Sequence, residues 1–239
     1  GDDSGIYVTT DPMGVHSTVA LTNTILAQSS VGISVTGGNT ITINGILWHA
    51  TPVTVSQGLT AVVEIQNQLT GDPLFDADGY HLRIGSPALD AGISTALTRD
   101  IDGDPRPYGL GFDLGADETP YVSIPPETGG TLVYTNTQGS TTTLVVPPAA
   151  ISETTTIVLT QLNPETVVPP PDLVAGGIAL ELDAYQGDEP VTGFTFSAPV
   201  TLTLEYTDED VAGIDESVLE LYRYVCPNPE SLWLCFWEV

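Results

Sequence analysis

The densest set of groups that could do chemistry is Arg99-Asp100-Ile101-Asp102-Gly103-Asp104-Pro105-Arg106, with Asp113, Asp117 and Glu118 following. Carboxylates at alternate positions around a glycine turn can converge on a hard cation, which takes roughly six to eight oxygen ligands. Asp100, Asp102 and Asp104 are therefore candidate calcium ligands. The spacing departs from an EF-hand loop, because the glycine falls fourth rather than sixth and no glutamate stands at the twelfth position. The plainer alternative has Asp100, Asp102 and Asp113 bound to Arg106, Arg99 and turn amides, which would lock a closing loop. Asp72, Asp76 and Asp78 form a weaker second set in which turn chemistry is expected.

Polysaccharide cleavage needs paired carboxylates, or acidic cation ligands beside a basic proton acceptor. From Pro12 to Gly71 the only charged residue is Glu64, and the chain has no lysine. That stretch cannot assemble such a site from its own residues, so no catalytic residue is assigned and the expectation is a protein that is not an enzyme. His16 and His49 stand alone there and are read as surface or turn residues. Trp48, Tyr80, Trp233, Phe236 and Trp237 could stack on sugar rings, but aromatic faces serve cores equally well, and core packing is the expectation. Cys226 and Cys235, nine positions apart, suit a disulfide that closes a short hairpin in an oxidising compartment.

Four arginines, no lysine and 31 acidic residues give a formal net charge of -27. A polyanion would meet repulsion almost everywhere, which excludes nucleic acid and anionic membrane as partners. Divalent cations, cationic groups and neutral glycans stay open. No apolar run approaches the length of a membrane span. The start at Gly1 rather than Met reads as a processed or excised piece of an exported protein.

The elements that must position these groups are strands. Thr, Val, Ile and Leu alternate with polar residues, and Gly, Asn and Pro punctuate short runs, so the chain is expected to be all-β. Val19-Ala20-Leu21-Thr22-Asn23-Thr24-Ile25-Leu26 is echoed by Thr40-Ile41-Thr42-Ile43-Asn44-Gly45-Ile46-Leu47, a period near 21. Val31 to Val35 and Val53 to Val55 follow at about the same offset, and Val62 to Asn67 begins a third copy. Such a period fits coils of a parallel β-helix, each rung bonded to those above and below. Asn23 and Asn44 would then stack at one corner with their amides bonded along the axis.

Gly71-Asp72-Pro73-Leu74-Phe75, Tyr80-His81-Leu82, Ser86-Pro87-Ala88-Leu89-Asp90-Ala91-Gly92, and the run from Asp100 through Arg106 to Asp113-Leu114-Gly115-Ala116-Asp117-Glu118 follow in order. This series resembles the C-terminal end of the right-handed parallel β-helix in bacterial surface proteins with pectate-lyase-like repeats, of the choice-of-anchor type. The resemblance covers about residues 19 to 118 and implies the fold and an exported location. Farther on, Gly129-Gly130-Thr131-Leu132, Thr143 to Ile151, Thr155 to Leu159 and Phe196 to Leu204 resemble the ZU-type, immunoglobulin-like β-sandwich. Relatives of that fold include domains that cut their own backbone at a His-Phe-Ser step. Thr195-Phe196-Ser197 keeps the last two residues but lacks the histidine, so no cleavage is expected.

The sequence thus predicts β-helix coils and a closing loop over 1–118, a Pro-rich linker over 119–127 and a sandwich over 128–239 that is incomplete at its C-terminus. The expected function is a non-catalytic structural or adhesive module, extracellular or on the cell surface, with filament or sheath assembly as a variant. Its expected partners are other copies of itself, neighbouring domains of a longer surface protein, or glycans. The competing expectation is a carbohydrate-binding module or the remnant of a polysaccharide-active β-helix enzyme.

Overall fold

The structure, a computed structural model, describes residues 4–169, 172–225 and 236–238. At 42% strand and 3% helix the chain is all-β, as its alternating pattern predicts. It divides into two compact units, 1–120 and 121–239, each with buried apolar residues of its own.

In the first unit, six strands run in succession: β1 (Ser4–Val8), β2 (Thr18–Ala27), β3 (Val31–Val35), β4 (Thr40–His49), β5 (Val53–Gln57) and β6 (Val62–Thr70). They sort into two parallel sheets, β1-β3-β5 and β2-β4-β6. Strands adjacent in sequence therefore belong to different sheets, and each sheet gains one strand per pass of the chain. From β2 onward every paired residue lies 22 positions from its partner, as with Thr18 and Thr40 or Val31 and Val53.

That offset corrects the period near 21, and with it the expected amide ladder. Asn44 stands opposite Thr22 and Gln66, not opposite Asn23. The matching positions are Asn23, Gly45 and Asn67, all left-handed, with φ of 48°, 78° and 49°. Glycine and asparagine are the residues that tolerate this conformation, so the bend chooses its residue by backbone rather than by side-chain identity. Asn44 instead accepts a hydrogen bond at 2.7 Å from the side chain of Asn67.

The left-handed residue also shifts the strand alternation by one. Before it, Val19, Leu21, Ile41, Ile43, Val63 and Ile65 point into the core between the sheets; after it, Leu26, Ile46 and Trp48 do so. Ile25 and Leu47 consequently face outward, where Leu82, Ala88 and Leu114 cover them. Those covering residues belong to the segment 71–120, which has no strand longer than isolated bridges such as Phe75 with Leu82 and Gly92 with Phe112.

Part of the stretch 119–127, expected as a Pro-rich linker, pairs as a strand of the second unit. Tyr121–Ile124 is strand β7, and Ile124 is fully buried. The apolar alternation of that segment outweighs its flanking prolines, which cannot block pairing from outside the strand. The remaining strands are β8 (Gly130–Thr135), β9 (Thr141–Val146), β10 (Thr155–Leu162), β11 (Ala179–Gln186), β12 (Glu189–Pro190), β13 (Thr201–Leu204), β14 (Arg223–Val225) and β15 (Phe236–Glu238). They form antiparallel sheets ordered β12-β11-β10-β7 and β13-β9-β8, and a β14-β15 pair. The first two meet where the Tyr134 hydroxyl of β8 donates to Gln161 Oε1 of β10 at 2.7 Å. Cys226 and Cys235, the expected disulfide pair, lie outside the described residues.

Candidate functional site

The segment 71–120 carries most of the polar chemistry, and turn geometry puts it there. Asp100 opens a tight turn: its Oδ1 accepts from the amides of Asp102, Gly103 and Asp104 at 2.9, 2.7 and 2.7 Å, and its Oδ2 accepts from the Glu118 amide at 2.9 Å. Four amide donors occupy this carboxylate. The expected calcium set of Asp100, Asp102 and Asp104 is therefore not assembled: Asp100 faces inward to backbone, and Asp102 turns to other partners. Short loops satisfy a carboxylate more readily from the next few N–H groups than from a distant ion.

The two basic residues of the motif behave differently from each other. Arg106 is buried against Glu118, its Nε 3.0 Å from Oε2 with no aligned N–H bond, and its Nη2 donates to the carbonyls of Gly115 and Asp117 at 3.0 and 2.6 Å. Arg99 Nη1 donates to the Gly103 carbonyl at 2.6 Å. Arg106 thus pairs with Glu118 rather than with the expected aspartates. Asp113, also buried, accepts from the amides of Asp90 and Thr119 at 2.6 and 2.9 Å. Burial pushes Asp113 up to about 7 against the pull of those amides, and burial likewise carries Glu118 up to about 7 despite the amides of Tyr108 and Asp113 and the nearby Arg106. Asn23 ties this segment to β2: its side chain donates to the Ile93 carbonyl and accepts from the Ile93 amide, both at 2.8 Å.

Beside this lock stands a cluster centred on His81. Its Nδ1 contacts Asp78 Oδ2, and its Nε2 lies 3.3 Å from Asp102 Oδ2. Asp78 Oδ1 is held in turn by the amides of Tyr80 and His81 at 3.1 and 3.2 Å. The Tyr80 hydroxyl donates to Asp102 Oδ1 at 3.2 Å, and its ring rests 4.2 Å from the His81 ring, centre to centre. Asp117, only 3% exposed, accepts through Oδ2 from the Leu82 amide at 2.9 Å and the Thr119 hydroxyl at 3.3 Å. One ligand atom each from His81, Asp102 and Asp117 lies within 4.8 Å of the other two, the group of this kind among the described residues.

Charge explains how the cluster titrates. Burial would lower the His81 pKa, but the hydrogen bond to Asp78 and the charges of Asp117, Asp78 and Asp102 raise it. Asp78 is lowered, since its bonds to His81 and to two amides outweigh burial. Asp117 is raised by burial, and Tyr80 by burial and by Asp102.

No family model, curated protein or solved structure matches the chain.

In the sequence, Tyr80-His81-Leu82 reads as one motif of a series and carries no role for His81. Asp78, three positions earlier, was a local signal for it. The approach of Asp102 and Asp117 was not legible, because a loop without periodicity leaves no trace of what it folds against. Trp48, for which core packing is the expectation, is 2% exposed in the core and donates its indole N–H to Gln68 at 3.3 Å. In the second unit the Ser197 hydroxyl donates to the Ala149 carbonyl at 2.9 Å. Phe196 packs edge-on to Phe194 with ring centres 5.1 Å apart. The three histidines, His16, His49 and His81, all fall in the first unit.

Proposed function

We propose that the protein is a non-catalytic extracellular module of a surface protein, structural or adhesive, in which residues 1–118 are the end coils of a right-handed parallel β-helix and residues 128–239 an immunoglobulin-like, ZU-type β-sandwich. The observation that carries this reading is the regular parallel stacking of β2, β4 and β6 on a stretch whose single charged residue is Glu64. Stacked rungs with a largely apolar interior make a stiff rod that offers no acid-base pair among those residues. The acidic composition supports solubility outside the cell, and the antiparallel sheets of the second unit support a separate spacer or tip. Its partners are neighbouring domains or further copies of the chain.

The test is to incubate the purified protein with neutral and acidic polysaccharides and to follow size exclusion with light scattering in calcium and then in chelator. The expected result is no release of new sugar ends together with a defined monomer or oligomer. Turnover at an enzyme-like rate would overturn the proposal.

A carbohydrate-binding reading draws on one feature, a shallow concavity on the outer face of β2, β4 and β6 where Thr22, Thr42, Asn44, Glu64 and Gln66 stand beside Ala20. It predicts glycan-array binding that weakens in Asn44→Ala and Gln66→Ala. An array without hits would dispose of it.

A further inference from the structure

We propose that His81, Asp102 and Asp117 form a binding site for a single first-row divalent metal ion, with zinc as the best match, and that Asp78 is the positioning residue of that site. The argument begins with ligand chemistry. One imidazole nitrogen with two carboxylates suits a borderline ion, whereas calcium and magnesium take oxygen ligands throughout. Geometry agrees. At metal–ligand lengths of about 2.0–2.1 Å, two ligand atoms on a tetrahedral zinc ion stand roughly 3.3 Å apart. The separation of His81 Nε2 from Asp102 Oδ2 is 3.3 Å, and an Asp117 carboxylate oxygen lies within 4.8 Å of the ligand atoms of both.

The surroundings of the three groups are those of ligands held in advance. A metal-binding imidazole characteristically gives its other ring N–H to a carboxylate, which fixes the tautomer and aims the free nitrogen. Asp78 stands in that position at His81 Nδ1, itself fixed by two backbone amides. Tyr80 steadies Asp102 through Oδ1, leaving the oxygen that faces the histidine. Asp117 is buried, with Oδ2 occupied by Leu82 and Thr119 and no hydrogen bond on Oδ1 among the described residues. Three protein ligands leave a fourth position for water or a partner's side chain, and an ion there would tie the loop at 78–81 to those at 102 and 117.

The experiment is zinc titration of the full chain against a chromophoric chelator, with thermal melting of each variant without metal as the check on folding. One zinc ion per chain is expected. His81→Gln and Asp102→Asn should each weaken uptake at least tenfold, and Asp78→Ala by about tenfold or more, the scale seen for outer-shell partners. His16→Ala, His49→Ala and Cys226→Ser with Cys235→Ser should leave uptake unchanged. Asp102 is on the surface and an asparagine there still accepts from Tyr80, so this variant keeps the test open even if His81→Gln folds poorly. Absence of zinc uptake by the native chain, uptake undiminished in Asp102→Asn, or displacement of zinc by an equal concentration of calcium would overturn the proposal.

Discussion

Asn23 donates to and accepts from Ile93 while its own backbone sits in the left-handed region, so a single residue both bends β2 and clamps the covering loops to it. Alanine at this position loses both bonds, strands the Ile93 amide and carbonyl, and pays for the left-handed backbone as well. Asn23→Ala should cost roughly 2–3 kcal/mol in denaturant melts. Asn44→Ala removes one bond at a half-exposed site and should cost no more than about 1 kcal/mol. Equal losses in the two variants would mean that the clamp is not where the energy lies. Gly45 belongs to the same column: a Cβ there would come within 2.6 Å of Asn23 Oδ1 at a φ of 78°, so its small size and its conformation are both required.

At the scale of elements, the parallel sheets of the first unit depend on how closely neighbouring strands approach. A Cβ on Gly32 of β3 would stand 2.6 Å from the Trp48 ring and 2.8 Å from the Thr54 carbonyl oxygen. Backbone cannot yield as a flexible side chain does, so Gly32→Ala should destabilise the first unit by about 1–3 kcal/mol. Recovery in the double variant with Trp48→Phe, relative to Trp48→Phe alone, would locate the conflict at the ring. In the second unit the run Thr207-Asp208-Glu209-Asp210 reads as solvated loop charge, yet Asp210 is buried. Its Oδ2 accepts from the Ser140 hydroxyl at 2.5 Å and from the amide and hydroxyl of Thr207 at 2.7 and 2.9 Å. Asp210→Ala should cost roughly 2–3 kcal/mol, measured by urea unfolding, because it strips a charged acceptor from buried donors.

For the whole molecule, the net charge of -27 and the buried carboxyls of both units set the pH response. Asp113 in the first unit titrates at about 7, above its ordinary 3.8, so the folded state holds a proton that the unfolded chain releases. Its contribution to stability is full below about pH 4 and is lost as pH rises toward 7. Asp210 in the second unit is lowered because its hydrogen bonds outweigh burial, so its contribution is present at neutral pH and is lost as pH falls through the acid range. Amide exchange should accordingly show protection in the first unit falling between pH 5 and pH 7.5 while the second unit changes little. Asp113→Asn should lessen the first trend, the rest belonging to Glu118, which burial raises alike; an unchanged slope in the double variant with Glu118→Gln would assign it to general charge repulsion instead. Intact mass measured without reductant tests the Cys226–Cys235 bond, with the loss of two hydrogens as the expected result.

The alternation of β-branched and polar residues was enough to determine an all-β chain, and the echo of Val19–Leu26 in Thr40–Leu47 was enough to locate strands, because a strand declares which face it buries within a few residues. The register was legible only to within one position. Asn23 resembles Asn44 in type, but the left-handed bend accepts glycine as readily as asparagine, so Gly45 took the matching place. Prolines around Tyr121–Ile124 read as a linker, since nothing local announces the partner strand β10. The candidate site was the least legible part. Asp100 and Asp102 are two positions apart, yet one is spent on turn amides and the other faces a histidine 21 positions earlier. Local spacing governs which turn a carboxylate can close; which distant side chain it meets is decided when loops without periodicity fold against the parallel strands, by contacts that only the tertiary structure contains.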